Sequence, residues 1–323
     1  MNSRRSIRVL SVVVALVAAS GLVAAQTQTP APAPAQTPAI TLAGYPAPGE
    51  PAKVRLVSTG AAPRKALRYS IPADFKNHLD MTIGVSMALS VLGQPLDMPA
   101  PVIKMGADVT VTTIAANGDI SYSLAFTGMT LEGDTTSPLG TALQGASAGI
   151  SGIRGVTTIS TRGVTQTSSL DVTDAALKTM LAQTGSSVEN VSIAFPEEPV
   201  GVGAQWEVRQ AVVSDGPTQF QQATYEITAI DGLAVMLKVT TVNTAPAQAI
   251  NSPLAAATGG EMRLEKLSGT GTGTVAVRLD SVVPTSTIEH VTSAVMTMTV
   301  QGQPLPVTVN GKVTIAVAPV KRP

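Results

Sequence analysis

The chain has 323 residues, of which 21 are basic and 21 acidic, so its formal charge is zero. Charged residues make up only 13% of it, about half the usual quarter, and no clustered basic run is present to attract nucleic acid or an anionic membrane. There is no cysteine at all, which excludes a disulfide framework, thiol catalysis, thiolate metal sites and a lipobox acyl anchor.

"MNSRRSIRVLSVVVALVAASGLVAAQ" opens the chain: Arg4, Arg5 and Arg8 precede a mostly apolar run from Val9 to Ala19, and small residues lead to Ala25. This predicts a secretory signal peptide over residues 1–25, cut after Ala25. The run is short for a membrane span, which needs about 20 apolar residues, and no second long run follows. The expectation is a periplasmic or secreted mature chain without a transmembrane span. Loss of the three arginines leaves 18 basic and 21 acidic residues, a formal −3. Residues 26–66 begin with "QTQTPAPAPAQTP" and read as a Pro/Ala-rich linker, mostly disordered. A single antiparallel β-rich domain is expected over 67–323, entered at "LRYSIPADF".

Strand signals dominate that domain. Asn117-Gly118 is a favoured hairpin turn, and Ile120, Tyr122, Leu124 and Phe126 then alternate with Ser121, Ser123 and Ala125. Arg162-Gly163 and Asp231-Gly232 mark further hairpins, and long alternating runs fill the C-terminal third. Two segments break the pattern. "DVTDAALKTMLAQTG" is the stronger helix, capped at Asp171 or Thr173 and stopped at Gly185, and the glycine-rich "SPLGTALQGASAGISG" is a weaker one. The predicted fold is mainly β (α+β), a large curved antiparallel meander sheet or half-barrel with one or two inserted helices. A membrane β-barrel would need aromatic girdles. Aromatics are 3% of the chain and its end, "VAPVKRP", has none.

One motif appears twice. "MALSVLGQPLDMPAPV" begins at Met87 and "MTMTVQGQPLPVTVNGKV" at Met296, so that Met87, Leu89 and Val91 match Met296, Met298 and Val300. The copies are neighbouring hairpins of one sheet, a trace of duplication, or a chance likeness of two Gly-Gln-Pro turns. Methionine is flexible and polarizable, so these six residues suit either a core or an adaptable ligand-binding face.

Residues with chemistry are sparse. The two histidines, His78 in "DFKNHLD" and His290 in "STIEHVTS", stand in no metal-ligand spacing; the first reads as an exposed loop residue and the second as a strand residue. "GASAG", Gly145 to Gly149, fits a nucleophile elbow around Ser147 with His290 downstream, but an elbow needs a strand leading into it and "SPLGTALQ" reads as loop or helix. "GTGTGT" from Gly269 leads into a strand, so it offers no helix N-terminus to a phosphate and reads as a flexible loop or edge-strand start. Glu197-Glu198 is a solvated turn. No metal and no cofactor is called for.

"FPEEPVGVGAQWEV", with Pro199, Val200, Gly203 and Trp206 as its core, resembles the hallmark of a family of uncharacterised exported bacterial proteins, as do "LRYSIPADF" and the terminal "GQPLPV". The resemblance spans Leu67 to Val317 and implies export and a β-rich fold, with no catalytic residues. Trp206 reads as a core anchor. In predicted architecture alone the chain is also similar to periplasmic lipoprotein-carrier half-barrels, whose curved sheet wraps helices over an apolar pocket. The leading expectation is an exported non-enzymatic protein that binds a lipid or other apolar ligand on its concave Met/Leu/Val face. The alternative is a structural or interaction module meeting an envelope protein, and a third is a serine esterase using Ser147 and His290.

Overall fold

A computed structural model describes residues 40–171, 192–212, 217–250, 260–300 and 302–320. The expected signal peptide and, from residue 172 on, the stronger helical segment lie outside the described residues; Asp171, one of its two candidate caps, ends a strand. Fourteen strands form one antiparallel sheet: β1 (Lys53–Ser58), β2 (Lys76–Val91), β3 (Gln94–Met98), β4 (Val102–Ile114), β5 (Ile120–Glu132), β6 (Arg154–Ile159), β7 (Thr165–Asp171), β8 (Gln205–Val212), β9 (Gln219–Asp231), β10 (Ala234–Ala245), β11 (Gln248–Ile250), β12 (Glu261–Arg278), β13 (Thr285–Val300) and β14 (Gln303–Val320). Their order is β1-β8-β9-β10-β12-β13-β14-β2-β4-β5-β6-β7, with β11 beside β12 and β3 beside β2. The sheet is not closed: β1 and β7 stand at its two ends.

The local reasons are those of the sequence pattern. In β5 burial alternates residue by residue from Ile120 to Phe126, as a half-buried strand requires. The turn glycines Gly118, Gly163 and Gly232 all take positive φ, a region open to glycine without a Cβ clash. One helix is present among the described residues, α1 (Pro138–Ile150), made from the weaker of the two helical segments. Its glycines disfavour helix, but Pro138 suits the first turn, and the Ser137 hydroxyl accepts the Gly140 amide at 3.1 Å. Ile150 is buried in the main core.

Two meanders make up the sheet, and β14 joins them by pairing with β2 from Val307 opposite Val91 to Val320 opposite His78. At one end of the strands the open sheet is bridged by loop. Trp206, at the start of β8, donates its indole N–H to the Ala194 carbonyl at 2.9 Å. The next residue, Phe195, donates its amide to Arg162 O in the β6–β7 turn at 2.8 Å. A few residues thus span from β8, next to the β1 edge, to the β7 edge, so the sheet curls about the face that carries the core. Tyr69, Phe195, Trp206 and Tyr225 form a chain of ring contacts there, with centroids 5.4, 6.0 and 5.4 Å apart. Val200 and Trp206 are fully buried, and Gly203 has φ +80°. The Pro199-Val200-x-x-Gly203-x-x-Trp206 stretch is therefore the plug of this end, and Trp206 is the core anchor expected of it.

Three local expectations are corrected. Part of the 26–66 stretch belongs to the fold: β1 pairs with β8, and Val54 and Leu56 pack on the main core, a two-residue alternation hidden among prolines and glycines. "GTGTGT" is neither loop nor edge but the middle of β12, flanked by β10 and β13. His78 sits within β2, which already starts at Lys76, and is 9% exposed although it faces away from Leu79 and Met81, because its ring lies beside Gly106 between Asp108 and Asp80. Trp206→Ala should cost about 3–5 kcal/mol, the range for large buried aromatics. Urea denaturation measures this, and a cost under about 1 kcal/mol would show that the ring does not hold this end.

Candidate functional site

The core-bearing face can be followed as rows across the sheet, because paired residues on neighbouring strands point the same way. The row Val239–Gly273–Ile288–Ile315–Ile83 is the upper margin of the main core. Toward the hairpin tips come Thr241–Gly271–His290–Val313–Val85 and then Asn243–Gly269–Thr292–Gly311–Met87. The next row, Ala245–Leu267–Ala294–Val309–Leu89, is wholly apolar. Beyond it lie Leu264–Met296–Val307–Val91 and Met262–Met298–Leu305. Across β10, β12 and β13 the two dry regions are thus separated by a two-row belt of Thr, Asn, His and Gly, which ends in Val313, Val85 and Met87 on β14 and β2.

The duplicated hairpins meet in the second dry region. They are neighbours in one sheet, since Val91 and Leu89 of the first lie opposite Val307 and Val309 of the second. Leu89, Met298 and Val307 are buried at 2, 1 and 1% exposure, with Met87, Val91, Met296, Leu305 and Val309 half-buried around them. Five of the six residues singled out in the sequence therefore converge. Val300 pairs with Gln303 at the turn, and its side chain is outside the described set.

The belt is what sequence reasoning missed. A Cβ on Gly271 would lie 2.5 Å from Thr241 Oγ1 and 2.8 Å from His290 Cδ2, and one on Gly269 would lie 2.5 Å from His290 Cε1. The glycines are therefore the floor on which the imidazole and the Thr241 hydroxyl lie. His290 Nδ1 is 3.0 Å from Thr292 Oγ1. His290 Nε2 and Thr241 Oγ1 are themselves buried and have no hydrogen-bond partner among the described residues. Burial holds the imidazole below its ordinary value of 6.5. The missed signal was glycine at every second position, the period of a strand with one bare face.

The other chemistry-bearing groups lie apart. On the opposite face, His78 Nδ1 is 2.6 Å from Asp108 Oδ1 and Nε2 is 3.3 Å from Asp80 Oδ1, so a carboxylate stands at each ring nitrogen. Ser147 is inside α1, and its hydroxyl donates to the Gln144 carbonyl at 2.7 Å. No strand runs into the "GASAG" stretch, and α1 packs on β5 while His290 is on β13. No group of three His, Asp or Glu able to hold a metal occurs among the described residues. The single Trp, four Tyr and four Phe form no outer girdle: most are buried in the core, Phe75 and Tyr225 pack against it, and Tyr45 sits edge-on to Phe220 at 5.3 Å.

No family model matches the chain, and no curated protein matches. Among solved structures there is a remote likeness to the outer membrane protein OprG from Pseudomonas aeruginosa, at 7% identity and a TM-score of 0.24, covering 77% of this chain and 97% of that one. A structure titled "Asymmetric conductivity of engineered proteins" matches at 10% identity and a TM-score of 0.21, over 76% of this chain and 100% of that one. At such scores neither carries a pore or a membrane location over to this chain.

Two outcomes test the belt. A folded-state imidazole held below its ordinary value binds fewer protons than the unfolded one, so stability should fall as pH drops from about 7 through the imidazole's ordinary value. Urea midpoints across that range should decline in the wild type and decline less in His290→Gln; equal slopes would refute the buried neutral imidazole. Gly271→Ala should destabilise by about 1–3 kcal/mol, since the new methyl also meets the Glu289 carbonyl at 2.8 Å. A wild-type melting temperature would overturn the tight floor.

Proposed function

We propose that this is an exported, non-enzymatic binding protein that holds a lipid or similar apolar ligand on the inner face of its curled sheet, over the second dry region. The observation that carries the reading is the convergence of the two methionine hairpins into one apolar patch, set apart from the main core by the polar belt. Burying Leu89, Met298 and Val307 gives the patch a fixed floor, while half-buried Met87, Val91 and Met296 form a deformable rim. Ligand burial would contribute about 25 cal/mol per Å² of apolar area removed from water. The signal-like N-terminus, with its basic start and small residues before Ala25, supports delivery to the periplasm or beyond.

A second reading rests on the same burial. Because Leu89, Met298 and Val307 are already covered by neighbours, the patch serves equally as the core of a structural or interaction module that meets an envelope protein. Native mass spectrometry of the chain, purified from its own envelope without detergent, separates the two. The binding reading expects a reproducible lipid mass that disappears in Met87→Gln/Met296→Gln, a pair chosen to keep side-chain length while the fold, checked by circular dichroism, persists. A clean unliganded mass that survives incubation with total envelope lipid would sink the binding reading and leave the module.

A further inference from the structure

Thr241 and His290 lie on different strands, β10 and β13, with Gly271 of β12 between them. Thr241 Oγ1 lies over Gly271, and the His290 ring lies over Gly271 by Cδ2 and over Gly269 by Cε1; Thr241 Oγ1 and His290 Nε2 are both without a partner among the described residues. A buried polar group left unpaired is costly, so two of them over neighbouring glycines of one strand form a feature that packing alone disfavours. A valine at 241 would fill the same volume without that cost.

We propose that the belt is a head-group site: an uncharged hydroxyl of an amphiphile is received between Thr241 Oγ1 and His290 Nε2, and the tail runs along β13 over Ala294 and Met296 toward Met298. This rests on the apolar-ligand reading and adds the ligand's polar end to it. Three points select the hydroxyl. From β1 to β2 the residues sharing the two belt rows with His290 are Val54, Val208, Ala223, Thr241, Gly271, Val313 and Val85 in its own row and Gln210, Gln221, Asn243, Gly269, Thr292, Gly311 and Met87 in the next. None of these is ionisable, so nothing balances a carboxylate, phosphate or ammonium, whose burial unpaired is costly. Burial disfavours the cationic form of the imidazole, so it is a poor countercharge as well. With Nδ1 engaged by Thr292, Nε2 is an acceptor in one tautomer and a donor in the other, and a hydroxyl serves both, whereas an ether or ketone only accepts. To meet the head, the Thr241 hydroxyl would turn about its Cα–Cβ bond from the glycine floor to another staggered position.

The spacing fits an extended tail. Met296 stands six positions after His290, about 20 Å at about 3.4 Å per residue, and once past the Asn243–Gly269–Thr292–Gly311–Met87 row the side chains facing that path are Leu267, Ala294, Val309 and Leu89, then Leu264, Met296, Val307 and Val91.

The test is displacement of bound 1-N-phenylnaphthylamine from the full chain by dodecan-1-ol, dodecane and dodecanoate in detergent-free buffer, on wild type, Thr241→Val and His290→Leu. The expected result is that the alcohol displaces the dye at about tenfold lower concentration than the alkane or the carboxylate, the worth of one or two net hydrogen bonds. In each variant the alcohol should fall to the level of the alkane, with dye affinity unchanged. Thr241→Val should also melt no lower than wild type, since it removes a hydroxyl with no internal partner. Dye binding without an alcohol advantage, or an advantage that survives both substitutions, overturns the head-group site and leaves the apolar-ligand reading standing. A Thr241→Val protein that is destabilised overturns it too, by showing that the hydroxyl is structural. Failure of the dye and all three probes to bind overturns both.

Discussion

The pairing of β14 with β2 is the constraint on which the rest depends. It runs from Val307 opposite Val91 to Val320 opposite His78 and joins strands from the two ends of the described chain. Without it there are two separate meanders, each with an extra unpaired edge open to association. With it, one hydrophobic face runs unbroken from β8 to β6, and the two Gly-Gln-Pro hairpins become neighbours. The entropy of closing so long a loop grows only as the logarithm of its length, so many ladder hydrogen bonds offset it once formed. The same non-local pairing makes the fold slow to assemble, because the closure is lost before the contacts reward it.

Register follows from that seam. A slip of one residue between β14 and β2 would turn Leu89, Met87 and Met81 to the outer face, and the apolar rows would end at β13. The rows also explain the glycines. At each of Gly269, Gly271 and Gly273 a Cβ would strike a neighbour on β13, so β12 carries no side chain on its inner face through the belt. Thr270, Thr272 and Thr274 occupy its outer face. The belt is thus a place where the sheet gives up packing on one side only, and His290 and Thr241 lie across the space.

Much of the fold was legible because it is written at short range. The Asn117-Gly118, Arg162-Gly163 and Asp231-Gly232 turns and the alternation of Ile120 to Phe126 are each contained within a dozen residues. Trp206 was legible as an anchor because a lone tryptophan after Gly201 and Gly203 has few other roles. What was not legible came from partners distant in sequence. His290 looked like any strand histidine until Gly271 was set beside it from β12 and Thr241 reached the same glycine from β10. "GTGTGT" was misread because glycine is a loop residue by propensity, and the large neighbours that require it are named only by the register. His78 was misread for the converse reason: Lys76, Asn77 and Asp80 make the stretch polar, and only Asp108 on β4 reveals that the ring is enclosed.

The two ends of the sheet are built from different materials, and this bears on where the molecule yields. At the bridged end the rings of Tyr69, Phe195, Trp206 and Tyr225 are in contact, and the loops about them are tied by backbone hydrogen bonds such as Tyr69 N to Thr161 O at 2.7 Å and Val200 N to Lys65 O at 2.9 Å. At the hairpin end the packing is methionine, leucine and valine without a ring, and the turns are hairpin tips, with Leu92 59% exposed. Large rings bury 150–250 Å² each and fix one geometry, whereas methionine adjusts its rotamers at little cost. Local opening is easiest where buried apolar contacts are fewest, so the hairpin end opens before the clasped end. The rigid end preserves the curl of the sheet, and the yielding end is the one whose inner face the proposed ligand would share.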